Sequence, residues 1–230
     1  MRAAVSSQDL RGGIEMQPMD VGAICFAVPK GRLVPGTAAL LSKAGIDTLA
    51  LLSDERSLIR TNGSVSFALI RNEDVPTYVE RGAAAVGFVG KDVLREQGNR
   101  DLIEYADLGI GECHLVVAAP EGTQLVPDGF VRVATKYPNL ARQALDKLGL
   151  RYEIITLRGS CEIAPRAGLA DAIVDLKSTG ETLRANNLIE VCQIERFTAT
   201  LVLNPQAYRT DSRVREIAEK ISAATRECAS

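Results

Sequence analysis

The chain has 230 residues, 46% of them hydrophobic and 24% charged, a length that suits one large domain or two small ones around a sizeable core. A formal charge of −2, no tryptophan and only 4% aromatics exclude a general binder of nucleic acid or anionic membranes, so any polyanion must be met by a local basic cluster. Five scattered cysteines without a CxxC pair and one histidine, His114, exclude a structural zinc site and fit a reducing, cytoplasmic compartment; no apolar run approaches the ~20 residues of a membrane span.

Residues 1–22 carry Gly12-Gly13 and no apolar signal segment, and read as an extension outside the fold. Folded structure is predicted from the apolar run 23–28, a buried strand broken by Pro29-Lys30-Gly31-Arg32. A helix over 33–44 closes at Gly45, a strand follows over 64–70, and a short helix over 73–81 takes Pro76 in its first turn. A strand over 83–89 and a helix over 91–96 complete an alternation that implies βαβ units and a parallel sheet. The pattern restarts after Gly109-Ile-Gly111 with strands over 113–119 and 131–135, a helix over 138–147, a strand over 152–157, a helical turn over 162–167 and a strand over 170–176. Strands over 188–194 and 198–203 and an amphipathic helix over 209–226 end the chain. The expected architecture is α/β and two-lobed: lobe I from 23–109 plus 195–230, lobe II over 110–194, and a cleft between them.

The most informative stretch is Asp175-Leu176-Lys177-Ser178-Thr179-Gly180-Glu181-Thr182. A strand ends in an acid, and a hydroxyl-rich turn with one glycine leads into a helix. Free N–H groups at such a helix start, with the hydroxyls of Ser178, Thr179 and Thr182, suit a phosphate, and Asp175 suits a sugar diol. The same Ser178-x-x-Glu181 spacing also fits a capping box, and local pattern does not separate the two. Pro29-Lys30-Gly31-Arg32 lies where open α/β sheets bind ligands, at a strand carboxyl end, although a solvated turn has the same composition. Arg56, Arg71 and Lys91 (after Gly90) add cations at other loops of lobe I, and convergence of these groups would suit a polyphosphate. Glu162, after Gly159-Ser160-Cys161, either shares sugar binding with Asp175 or stabilises the first turn of its helix.

The span from Glu162 to Leu183 resembles the signature of the ATP phosphoribosyltransferases, and the likeness extends through Pro29-Lys30-Gly31-Arg32-Leu33, residues 74–82, Gly87 to Asp92, Val117 to Pro120 and Ala134 to Pro138. Ala85 and His114 depart from it, standing where an acid and an arginine are common, and Arg158 and Lys177 are unusual choices. The resemblance implies a fold like a type II periplasmic binding protein and a reaction in which N1 of ATP attacks C1 of phosphoribosyl pyrophosphate, expelling pyrophosphate, as the first step of histidine biosynthesis. It places the phosphoribosyl donor on Glu162, Asp175, Ser178, Thr179, Gly180, Glu181 and Thr182, and ATP on Lys30, Gly31, Arg32, Arg56, Arg71, Gly90 and Lys91. Lys30, Arg32 and Arg56 become the catalytic cations, with Mg2+ carried in on substrate and no protein metal site required. It further implies a homodimer assembling with a regulatory subunit that resembles histidyl-tRNA synthetase, because the chain ends after the 209–226 helix, as in the short form of the family. Since bilobed folds of this kind also serve non-enzymatic solute-binding proteins, simple anion binding is the alternative function.

Overall fold

The structure is a computed structural model and describes residues 22–53, 56–126 and 129–226. The extension expected over residues 1–22 lies, but for its last residue, outside them. Two mixed sheets organise the chain. The first has β1 (Ile24–Pro29), β2 (Ile59–Asn62), β3 (Val65–Ile70), β4 (Val86–Gly90), β5 (Ile103–Asp107) and β11 (Ala199–Leu203), in the order β2-β3-β1-β4-β11-β5. The second has β6 (Cys113–Pro120), β7 (Phe130–Thr135), β8 (Arg151–Thr156), β9 (Ala172–Lys177) and β10 (Leu188–Phe197), in the order β10-β6-β9-β7-β8. Strand β10 stays in the second sheet through Phe197, past the changeover expected at 195.

All six residues of β1 are buried because helices cover both faces of its sheet. On one face Phe26, Phe67 and Phe88 stack across β1, β3 and β4, with ring centroids 5.5 and 6.3 Å apart, and α1 (Leu33–Lys43) and α8 (Ser212–Arg226) cover them. Each buried ring contributes roughly 1.5–3 kcal/mol by leaving water. On the other face Cys25, Ala27 and Ala68 pack with α3 (Val75–Glu80) and α4 (Lys91–Gln97). Gly87 makes that contact possible, since an added Cβ would sit 2.6 Å from a methyl of Val79. In the second lobe α5 (Pro138–Lys147) buries Leu140, Ala141, Ala144 and Leu145 against β6, β7 and β9.

The sheets are not purely parallel as the βαβ pattern predicts. β2 returns on β3 as a hairpin, β11 enters antiparallel between β4 and β5, and β6 runs antiparallel to both of its neighbours, β9 and β10. The helix expected over 209–226 is instead α7 (Pro205–Thr210) and α8, broken at Asp211, whose extended backbone (φ −113°, ψ 112°) cannot continue a helix. Asn204 caps α7 by accepting from the Ala207 N–H at 2.8 Å.

Parallel strands set the site. β1, β3 and β4 run together in the first sheet, and β7, β8 and β9 in the second, so the loops at their carboxyl ends share one edge of each lobe. Among the described residues the chain passes between lobes twice, around 108–112 and at Thr198. The two crossings lie side by side: Leu108 N–H donates to Ala199 O at 2.8 Å, Ala199 N–H to Ile110 O at 2.8 Å, and Thr198 Oγ1 to Asp107 Oδ1 at 2.6 Å.

Candidate active site

The turn after β9 is built around Gly180, whose φ of +77° is left-handed, so α6 (Glu181–Ala185) begins after it. This overturns the capping box: Ser178 sits before the turn and makes no cap to α6, and the Glu181 N–H reaches Thr179 Oγ1 at 3.4 Å instead. Glu162, Asp175, Ser178, Thr179, Gly180 and Thr182 are brought together around a cavity of about 150 Å3. Glu181 is exposed at the head of α6 and does not line it. Glu162 arrives on a 3-10 turn (Cys161–Ile163) entered through a left-handed Ser160. Asp175 is half-buried, and burial pushes its carboxyl above the ordinary range while the Leu176 N–H, donating at 2.8 Å, and the Lys136 charge oppose that shift. Buried Cys161 is pushed up to about 11, which removes it as a nucleophile near neutral pH.

The predicted cations do not form one cluster. Arg32 Nη1 donates to Ser178 Oγ at 2.6 Å, joining the first strand end of lobe I to the hydroxyl turn of lobe II across the cleft. Lys30, Gly31 and Arg56 line a largely apolar cavity of about 500 Å3 on lobe I, walled by Pro35, Leu52 and Leu58 among others. Arg71 opens onto a different cavity of about 590 Å3 between the lobes, shared with Lys136, Tyr137 and Arg158. The Lys91 ammonium is paired with Glu104 on β5, within lobe I. Lys177 is likewise paired with Glu190. Gly90 acts structurally, donating its N–H to Asn72 Oδ1 at 3.1 Å; an added Cβ would fall 2.1 Å from Asp92 Oδ1.

Some residues escaped the sequence reading. Arg60 holds the backbone on either side of the Arg56 loop, donating to Leu51 O at 2.9 Å, Ser53 O at 2.6 Å and Ser57 O at 3.1 Å. No signal marked it, since its strand β2 was not foreseen. Asp92 is buried at 3% exposure; burial raises its pKa, and the Tyr137 hydroxyl donates to it from the other lobe at 3.3 Å. Lys136 and Tyr137 follow β7 and lie within the Ala134–Pro138 motif, so the signal was present and unused. His114, where the resemblance has an arginine, lies 3.2 Å from Glu112, which also pairs with Arg196 at 2.6 Å. Among the described residues no group of three or more His, Cys, Asp or Glu side chains is placed to hold a metal ion, and no helix is long and apolar enough to cross a membrane.

Two α/β lobes whose strand ends face each other, one bearing arginines and the other an acid-hydroxyl turn, define a type II periplasmic-binding-protein-like fold with a polar cleft. Solved structures agree on the fold. The substrate-binding protein of an amino acid ABC transporter superposes with a TM-score of 0.57 at 10% identity, over 90% of this chain and 93% of that one. The ATP phosphoribosyl transferase (HisG:HisZ) complex from Thermotoga maritima gives a TM-score of 0.73 at 36% identity, over 89% of this chain and 99% of that one.

Residues 71–223 match the family model for ATP phosphoribosyltransferase. The ATP phosphoribosyltransferase of Carboxydothermus hydrogenoformans is 46% identical over 203 residues, 86% of this chain and 91% of its own length. ATP phosphoribosyltransferase 2 of Geobacter sulfurreducens is 45% identical over 203 residues, 85% of this chain and 95% of its own. The chain belongs to the ATP phosphoribosyltransferase family. It is a phosphoribosyltransferase of the glycosyltransferase class, acting at the first step of histidine biosynthesis.

Proposed function

We propose that the cleft aligns ATP and phosphoribosyl pyrophosphate so that N1 of adenine attacks C1 of the ribose. The C1–N1 bond forms as the C1–oxygen bond to pyrophosphate breaks, and pyrophosphate leaves with the bonding electrons. N1 carries a free lone pair, so attack needs no base. Catalysis then rests on alignment and on stabilising the departing charge. The Ser178–Thr182 turn holds the 5-phosphate, and Asp175 and Glu162 accept hydrogen bonds from the ribose side. Arg32, Lys30 and Arg56 stabilise pyrophosphate, with Arg71 towards the ATP phosphates. Lys91, held by Glu104, and the exposed Glu181 drop out of this assignment.

The observation that carries the reading is the Arg32–Ser178 contact at 2.6 Å, which puts a cation of lobe I and a hydroxyl of the phosphate turn at one point. Transfer is metal-assisted, and Mg2+ enters bound to the pyrophosphate oxygens of the substrate, oxygen ligands that suit this hard cation. The enzyme works in the cytoplasm as a homodimer assembled with a regulatory subunit resembling histidyl-tRNA synthetase. The similarity to the chain from the T. maritima HisG:HisZ complex supports that partnership. Incubating the chain with ATP, phosphoribosyl pyrophosphate and Mg2+ yields phosphoribosyl-ATP and pyrophosphate in equal amounts. No product, with or without the regulatory subunit, overturns the reading.

A further inference from the structure

Lys136 stands at the junction of the two lobes. It is the first residue after β7, whose Thr135 is in register with Val174 of β9 on one side and Thr156 of β8 on the other. Lys136 therefore leaves the sheet beside Asp175, one position further along the neighbouring parallel strand. Its ammonium lies 4.9 Å from the centre of the Tyr137 ring, a cation–π contact, and Tyr137 in turn reaches Asp92 of lobe I at 3.3 Å. Among the described residues no carboxylate comes within salt-bridge distance of this ammonium, whereas Lys91 and Lys177 are each bound to a glutamate.

We propose that Lys136 is a positioning residue of the transfer reaction, a cation that holds Asp175 as a carboxylate ready for the ribose hydroxyls of the phosphoribosyl donor. Asp175 sits among groups that favour its neutral form: buried Leu183 lines the same cavity, and Glu162 adds a like charge from the 3-10 turn. Opposing them are the Leu176 N–H on its own strand and the Lys136 ammonium from β7. Tyr137 and Cys161, the other titratable groups that feel Asp175, stay neutral near pH 7 because burial raises both. From lobe I, buried Asp92 draws on the same ammonium and on Arg32. A carboxylate accepts hydrogen bonds with both oxygens, while a protonated acid must spend one as a donor. Losing the Lys136 charge would weaken the ribose contact by protonating Asp175, with the sheet geometry left intact.

The inference rests on the role given to Asp175 above, and the pH dependence of kcat/KM for phosphoribosyl pyrophosphate tests both. Lys136→Met keeps the stem and removes the charge. The acid limb of the profile moves up by about one pH unit, the low end of what a nearby opposite charge contributes. Below the limb, kcat/KM is about tenfold under wild type. Lys136→Arg restores the limb, and the titration of the substrate itself is common to every variant. If Lys136→Met does not fold, Lys136→Gln is read for the same shift. A uniform fall at all pH values with the limb unmoved overturns the inference and leaves the role of Asp175 standing. Asp175→Asn separates the two: wild-type kcat/KM in that variant overturns the role of Asp175 itself. In the Asp175→Asn background, Lys136→Met shifts no limb; a shift there also overturns the inference.

Discussion

Glu96 caps a helix in the opposite lobe, and removing it should weaken the joint between lobes. The first turn of α5 begins at Pro138 with no side-chain cap of its own. Its free donors are instead met by Glu96 on α4: the Asn139 N–H lies 3.0 and 3.1 Å from the two carboxylate oxygens, and the Leu140 N–H lies 2.9 Å from one of them. Asn139 Nδ2 donates back to the Glu96 carbonyl at 2.9 Å. Loss of an N-cap costs about 0.5–2 kcal/mol, and loss of a negative charge at a helix start about 0.3–1 kcal/mol. Glu96→Ala should therefore cost about 1–2 kcal/mol in total. For a chain of this size that is a fall of roughly 2–8 °C in Tm. Glu96→Gln retains one acceptor oxygen and should lose about half as much. Circular dichroism melts measure the shift, and hydrogen exchange reads the Asn139 and Leu140 amides directly. A Tm within about 1 °C of wild type for Glu96→Ala, with both amides as protected as before, would refute the reasoning.

Two further outcomes follow from the cleft. Arg32→Ala and Arg56→Ala should each lower kcat by about 10²–10³ if each stabilises the leaving pyrophosphate as an oxyanion-hole donor does, and near wild-type turnover in both removes that assignment. Asp92→Asn tests the buried acid. Its folded pKa is raised, so the native state binds its proton more tightly than the unfolded chain, and stability falls as pH rises from the usual carboxylate range through the folded value. Asn removes that penalty and still accepts from Tyr137. The variant should melt above wild type at pH 7 and converge with it near about pH 3, and a variant melting below wild type at pH 7 but converging at low pH would show that the ionised acid is net stabilising.

What the sequence revealed follows from burial. Strands with continuous apolar runs, such as 24–28 and 113–119, stood out because both of their faces are covered. β2 and β5 were invisible because they lie on sheet edges, half-exposed, and their residues (Ile-Arg-Thr-Asn and Ile-Glu-Tyr-Ala-Asp) follow no apolar period. The turn after β9 was legible as a turn, since Asp175, the hydroxyls and Gly180 are local. Its geometry was not: the capping box assumed that the helix begins after Ser178, whereas the left-handed Gly180 delays it. The fate of the cations could not be read at all. Lys91 finds Glu104 and Arg32 finds Ser178, pairings 13 and 146 residues apart that only the assembled lobes bring about.

The place of β11 has a consequence for how the chain acquires its shape. β11 lies between β4 and β5, and among the described residues β5 has no other strand neighbour, so residues 103–107 wait for residues 199–203 before they can join the first sheet. The second sheet, by contrast, is drawn from one uninterrupted stretch, 113–197. As the chain leaves the ribosome, most of the first lobe emerges early yet cannot close, while the lobe made later has all its strands at hand. The first sheet is therefore completed only after every strand of the second has been made. The unpaired edge of β4 is the surface that needs protection during the interval.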